Sequence, residues 1–175
     1  MGLARQELEA ELERHHADCH GWALGCCGWD RSEADDVLQS SYLKVLDGRA
    51  AFDGRSSFRT WLFAVIRRTA AEHRRRRMLR RLWPMRVALD GAGEPVDPAP
   101  DAAAALGREE SNERLRSALA VLPRRQREVL HLVFYQELSI REAAGVLAIS
   151  IGSARVHYER GKSRLRTLLG TEGDS

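Results

Sequence analysis

Residues 139–168 read SIREAAGVLAISIGSARVHYERGKSRLRTL, two helical periods separated by a short break. Ser139 is a natural N-cap, and Glu142 three residues later completes a capping box. Ala143, Ala144, Leu147 and Ile149 supply the apolar side of the first helix, and the paired alanines are small enough for close helix packing. Ser150 caps a second helix through Ala154, Val156, Tyr158, Leu165 and Leu168. Arg155, Arg160, Lys162, Arg164 and Arg166 line it against the single acid Glu159. Two helices on a tight turn, the second one basic, have the layout of a helix-turn-helix, whose second helix enters the DNA major groove.

Working outward, nearly every apolar pattern has helical spacing. Leu115, Leu119 and Leu122 mark one helix upstream, and Pro123 suits the first turn of the next, which carries Val129, Leu130, Leu132, Val133 and Phe134. Further upstream, residues 84–107 hold four of the five prolines with several glycines, acids and an alanine cluster, and read as a flexible linker with a transient helix near Ala102 to Leu106. On its far side, Leu8, Leu12, His15, Cys19, Trp22 and Cys26 predict a first amphipathic helix ended by Gly28. Ser32 is expected to cap a second helix with Val37, Leu38, Tyr42, Val45 and Leu46 on its buried face. Ser56 or Ser57 caps a third, whose Phe58, Leu62, Val65, Ile66 and Thr69 form a stripe and which continues through Arg74–Arg77 towards Trp83. The expected architecture is all-α: two small helical domains, 1–83 and 108–170, on a flexible linker 84–107, with a disordered tail 171–175. Two domains on a loose tether suit a protein that grips two separated sites at once.

Charge supports a polyanionic partner. The 175 residues carry a net charge of only +3, but the charge is segregated. Arg55 to Arg86 contains eleven arginines and one acid, Glu72, whereas Val87 to Glu110 contains six acids and one arginine, Arg108. No run of about 18 apolar residues exists, so neither a membrane span nor a membrane partner is expected. The N-terminal MGLARQELEA lacks a signal peptide's apolar core, so a cytoplasmic location with the three cysteines reduced is expected.

Two blocks of sequence then resemble a known family. EADDVLQSSYLKVL (33–46), followed by FDGRSSFRTWLFAVIRRTAAEHRRR (52–76), looks like regions 2.1 to 2.4 of the extracytoplasmic-function (ECF) class of bacterial sigma factors. LPRRQREVLHLVFYQELSIREAAGVLAISIGSARVHYERGKSRLRTLL (122–169) looks like regions 4.1 and 4.2. The second block is shared in part with response-regulator output domains; both blocks in this order in so short a chain are specific. The resemblance implies a region 2 helical bundle and a region 4 helix-turn-helix. It implies an alternative sigma factor that binds core RNA polymerase and directs it to promoters through −10 and −35 elements. It implies no enzymatic activity, no cofactor and no metal, and an anti-sigma factor that holds the protein inactive.

The resemblance also implies site residues. Asp35, Asp36 and Gln39 correspond to the acidic face that docks on the β′ clamp helices of the polymerase, with the β subunit as a further contact; Asp36 and Gln39 lie one helical turn apart, so both reach the same basic surface. For the −10 region the candidates are Arg59, Trp61, Arg67, Arg68, Arg74 and Arg75. Aromatic and guanidinium groups hold unstacked single-stranded bases, each stack contributing roughly 1–3 kcal/mol. Arg59 and Trp61 lie off the apolar stripe and are free to face DNA, Trp61 suiting a core position equally well, whereas Phe58 is expected in the core. Arg68 departs from the family's usual Asn: a guanidinium has no acceptor to pair with a base amide, so it grips phosphate or serves a different −10 preference. For the −35 region the candidates are Ser153, Arg155, His157 and Arg160. Ser153 keeps the hydroxyl of the usual Thr, while His157 stands where Arg is usual and weakens any guanine or phosphate grip at neutral pH.

His15, His16, Cys19, His20, Cys26 and Cys27 invite a metal or thiol-switch reading, since His16 and His20 have an i, i+4 ligand spacing. Cys19 and Cys26 fall on the apolar stripe, however, where a thiol behaves as a small hydrophobe, and that reading is preferred. The alternative function is a stand-alone helix-turn-helix regulator of duplex DNA; DDVLQ and SSFRTWL discriminate against it, because a simple operator binder needs neither.

Overall fold

The computed structural model describes residues 4–82 and 106–170, with side chains described at 4–80 and 113–170. Most of the linker, Trp83, Ala102 and the tail 171–175 lie outside the described residues. The helices are α1 (Arg5–Arg14), α2 (His16–Cys26), α3 (Arg31–Leu46) and α4 (Phe58–Leu82), then α5 (Leu106–Ala120), α6 (Arg124–Leu130), α7 (Ile140–Leu147) and α8 (Ile151–Gly170). A π-turn, His131–Tyr135, follows α6 directly.

The first apolar stripe is two helices rather than one. His15 adopts φ −101° and ψ 8°, which breaks the regular run, yet its amide still donates to the Glu11 carbonyl at 3.2 Å and its carbonyl accepts from Cys19 at 2.9 Å. The result is a kink, and it lets the His15 ring lie over Phe58 at 6.4 Å. The cap of α3 also differs from expectation. The helix begins at Arg31, so Asp30 occupies the N-cap and its Oδ1 accepts the Glu33 amide at 2.9 Å; Ser32 is an exposed first-turn residue. A carboxylate there adds dipole compensation to the hydrogen bond. Ser57 caps α4, its Oγ accepting the Thr60 amide at 3.1 Å.

The first domain packs α2, α3 and α4 on one another with α1 along α3. Trp22, Val37, Val45, Leu62, Phe63 and Ile66 are fully buried at its centre. Each such side chain contributes roughly 1.5–3 kcal/mol through its removal from water. Trp22 keeps its polar edge satisfied by donating Nε1–H to the Phe63 carbonyl at 3.0 Å. The second domain wraps α5, α6 and α7 around α8. The crossing of α6 and α8 is close and favours glycine: a Cβ on Gly161 would lie 3.0 Å from Leu130 Cδ1 and 3.1 Å from Gln126 Cβ, so those side chains would have to give way.

The two domains are in contact. α7 packs along α4, and the π-turn packs on α2, so that Val129, Leu132, Leu138, Ala143, Ala144, Val146 and Leu147 join the same apolar core as Trp22, Leu62 and Phe63. Gly25 marks the closest approach, because a Cβ there would fall 2.8 Å from His131 Nδ1.

Candidate nucleic-acid interface

The helix-turn-helix forms as its capping residues dictate. Ser139 Oγ accepts the Glu142 amide at 3.2 Å, and Glu142 Oε2 accepts the Ser139 amide at 2.9 Å and hydroxyl at 2.6 Å. Those bonds to the ionised form hold the Glu142 carboxyl below its ordinary pKa. α7 ends at Ala148, whose left-handed φ of 52° turns the chain towards α8. Ser150 Oγ caps α8 by accepting the Ser153 amide at 3.0 Å and donates to the Ser153 hydroxyl at 2.9 Å. Ala154 and Gly161 face inward, while Ser153, Arg155 and Arg160 are exposed. Arg155 and Arg160 therefore stand on the solvent face of the recognition helix. His157 sits at its flank, half-buried, with Nδ1 enclosed and without a hydrogen-bond partner in the protein.

The arginine-rich helix α4 divides its candidates. Arg68 and Arg75 are exposed and, seven residues apart, share one face. Arg74 is half-buried, and burial together with the neighbouring Arg124 pulls its pKa down. Trp61 is half-buried in an aromatic cluster, 5.3 Å from Phe52 and 5.2 Å from Phe58, ring centroid to centroid, and Phe58 itself is buried as expected.

Arg59 and Arg67 depart from expectation. Arg59 is not free to face DNA. Its Nε donates to Asp18 Oδ2 at 2.8 Å, and its two terminal nitrogens donate to the Gln136 carbonyl at 2.9 Å and to Gln136 Oε1 at 3.0 Å. The guanidinium also lies 5.0 Å from the centre of the Phe63 ring. Arg67 is ion-paired to Glu128 at 3.4 Å, its side chain only 14% exposed. The physical reason is the same for both: the second domain covers the flank of α4 that the apolar stripe leaves polar, and it supplies acceptors there.

On α3, Asp35, Asp36 and Gln39 are all exposed, opposite the buried Ala34, Val37, Leu38 and Ser41. Asp35 is within 3.2 Å of His20 Nε2. Asp36 shares a cleft of about 400 Å³ with Asp30, Glu33, His73, Arg76, Arg77 and Arg80. Arg77 closes one side of it by donating to Glu33 at 2.9 Å.

The histidines and cysteines near the N-terminus are not brought together as ligands. His16 lies 3.2 Å from the Tyr42 hydroxyl, His20 faces Asp35, and no group of three His, Cys, Asp or Glu could hold a metal ion among the described residues. Burial pushes the Cys19 and Cys27 thiols up to about 12 and raises Cys26 well above its ordinary value. All three are thus poor nucleophiles at neutral pH.

Sequence reading passed over the residues that join the domains. Glu128 is 2% exposed, yet it is reached by Arg124 at 2.8 Å, Arg125 at 3.5 Å and Arg67 across the interface. Gln136 is buried, donating Nε2–H to the Asp18 carbonyl at 3.3 Å. His131 is caged by Trp22 at 5.3 Å, Trp29 at 6.1 Å and Tyr135 at 5.2 Å. One signal was present: Glu128 is the sole acid between Pro123 and Tyr135, on a helix with three arginines.

Comparison with known proteins agrees with this anatomy. Residues 12–80 match the Sigma-70 region 2 family and residues 112–165 match Sigma-70, region 4. The ECF RNA polymerase sigma factor SigF of Caulobacter vibrioides is 35% identical over 128 residues, covering 73% of this chain and 66% of that protein. The ECF RNA polymerase sigma factor EcfG of Rhodopseudomonas palustris is 31% identical over 144 residues, covering 80% of this chain and 73% of that one. The sigma factor RpoE of Bartonella quintana, solved with the anti-sigma factor NepR, shares the fold with a TM-score of 0.73 at 22% identity, over 97% of this chain and 99% of that one. CnrH, solved with the cytosolic domain of CnrY, aligns with a TM-score of 0.65 at 23% identity, over 98% and 92% of the two chains. With region 2 matched over residues 12–80 and region 4 over residues 112–165, the chain belongs to the ECF class of bacterial sigma-70 RNA polymerase sigma factors.

Proposed function

We propose that this chain is an alternative sigma factor of the cytoplasm that binds core RNA polymerase and directs it to a promoter, residues 1–83 serving the polymerase and the −10 element and residues 108–170 the −35 element. The observation that carries this reading is the coexistence, in one chain, of an exposed acid-and-amide face on α3 and an exposed basic recognition helix α8. Asp35, Asp36 and Gln39 meet the basic surface of the clamp helices. Arg155 and Arg160 read or clamp the −35 duplex with Ser153 and His157 beside them. Arg59, Trp61, Arg67, Arg68, Arg74 and Arg75 serve the −10 strand, Arg68 and Arg75 already facing solvent and Arg59 and Arg67 doing so once region 4 moves away. The shared fold with a sigma factor solved on its anti-sigma factor supports control of this chain by such a partner. Among the described residues, no helix is long and apolar enough to cross a membrane.

Core polymerase supplemented with the chain is expected to initiate at a cognate promoter that the chain alone binds poorly. Asp36→Arg is expected to abolish that activity and polymerase binding together. Tight, specific duplex binding by the isolated chain with no effect on polymerase would instead establish the stand-alone regulator.

A further inference from the structure

We propose that Val156 and Glu159 form the base-reading centre of α8, and that the −35 element of this chain holds a thymine and a cytosine at neighbouring positions, recognised through the thymine methyl and the cytosine amine. The inference rests on the reading that α8 enters the −35 duplex. Ala154 and Gly161 are buried, and Tyr158 and Leu165 are half-buried. The four follow one another at intervals of four, three and four residues, which is one face of a helix. The rest of the domain holds that face, since a Cβ on Gly161 would meet Leu130 and Gln126 of α6. At about 100° per residue, the opposite line runs through Gly152, Val156, Glu159 and Ser163 with the same intervals, and all four are exposed. Arg155 and Arg160 stand to either side of that line.

The fold accounts for neither central residue. Val156 is 46% exposed, and a β-branched side chain is a poor helix former where nothing packs on it. Glu159 is the sole acid on a helix with five arginines and lysines. It lies beyond the first turn, too far along to compensate the helix dipole. Arg155, four residues before it, stands in the less favourable order for an i, i+4 pair. No hydrogen bond or ion pair engages Glu159 among the described residues, and Lys162 turns instead to the Tyr158 ring, 5.7 Å from its centre. A carboxylate facing a polyanion is repelled by phosphate unless a donor on the DNA meets it. The major groove offers that donor. The cytosine amine has no acceptor of its own base beside it, whereas adenine N7 adjoins the adenine amine and repels a carboxylate. The thymine C5-methyl is the apolar group of the same groove and the match for Val156. Three residues along a helix span about 4.5 Å, close to the roughly 3.4 Å step between base pairs, so the two side chains meet neighbouring pairs.

Both side chains are exposed, so replacing them leaves the packing of the domain intact. In the test, holoenzyme assembled from core polymerase and the full chain selects from a library of random-sequence duplexes. The −35 block it selects is sequenced for the parent, Val156→Ala and Glu159→Gln. The parental block is expected to carry the neighbouring thymine and cytosine. Glu159→Gln exchanges the carboxylate for an amide that bonds adenine N6 and N7 together, so its block is expected to replace that cytosine by adenine with a preference of about tenfold. Exchanging the selected thymine for deoxyuridine, which lacks only the methyl, is expected to weaken binding by the parental holoenzyme about fourfold, the effect of one buried methyl. The same exchange is expected to leave the Val156→Ala holoenzyme unaffected. A parental block without that thymine and cytosine, a Glu159→Gln block identical to the parental one, or a deoxyuridine duplex bound as tightly as the thymine duplex would each overturn the assignment. The underlying reading fails separately. Arg155→Ala and Arg160→Ala are expected to weaken binding of the selected duplex. If they and both central variants leave binding and selection unchanged, α8 does not meet the −35 duplex at all. If the arginine variants weaken binding while the central variants select the parental block, only the base assignment is lost.

Discussion

At the scale of single residues, Glu128 carries more consequence than its place in the sequence suggests. A carboxylate with almost no exposed surface is tolerated because three guanidiniums surround it. Removing it strands those cations, two of them in a half-open setting, so Glu128→Ala is expected to lower stability by about 3 kcal/mol. Urea unfolding followed by circular dichroism checks this, and a loss below about 1 kcal/mol would contradict the assignment of Glu128 as the common counter-charge. Arg59 teaches the same lesson from the other side. Its position off the apolar stripe of α4 was legible, and so was its chemistry. Its partner Gln136, 77 residues away, was not, because helical periodicity reports which residues share a face and nothing about which distant segment lies on that face.

At the scale of elements, the helix-turn-helix is the part most fully legible in sequence, since its determinants are local. The Ser139–Glu142 box forms as its spacing requires, and Ser139→Ala is expected to cost about 1 kcal/mol of stability, read as a shift in unfolding midpoint. The recognition helix yields a functional prediction. Arg155 and Arg160 are exposed on α8, so replacing either with alanine is expected to weaken −35 duplex binding by the holoenzyme by roughly 1–3 kcal/mol if it reads a base. A phosphate contact would instead show as an even loss across sequences and a salt dependence shallower by about one charge. Band-shift titrations on matched and altered −35 sequences at two salt concentrations separate these outcomes. Element boundaries were less legible where a local choice had near-equal alternatives. Asp30 and Ser32 are both good caps, and the helix starts after Asp30. The kink at His15 likewise sets its ring over Phe58, a contact outside its own helix that periodicity does not report.

At the scale of the whole molecule, closure of region 4 on region 2 creates an acid-sensitive joint. His131 is enclosed by Trp22 and Gly25 of α2, by Trp29 in the following turn, and by Tyr135 and Gln136 of its own domain; Asp18 and Arg116 line the adjoining cleft. Burial lowers its pKa from 6.5 to about 4. The buried imidazole must stay neutral, so its contribution to the closed form is complete above pH 6.5 and is lost as pH falls towards 4, roughly 3 kcal/mol in all. Scattering and tryptophan fluorescence measured from pH 7 to pH 4 are expected to report opening over that window, and His131→Phe, which cannot titrate, should abolish its pH dependence. An unchanged pH profile in the variant would assign the opening to other groups. The all-α class, the two domains, the recognition helix and the family were determined by sequence alone, because capping, periodicity and motif order act over a few residues. The docking of the domains, the masking of Arg59 and Arg67 and the burial of Glu128 and His131 were decided only by tertiary structure, because each depends on surfaces brought together from opposite ends of the chain, where packing and desolvation leave no local mark.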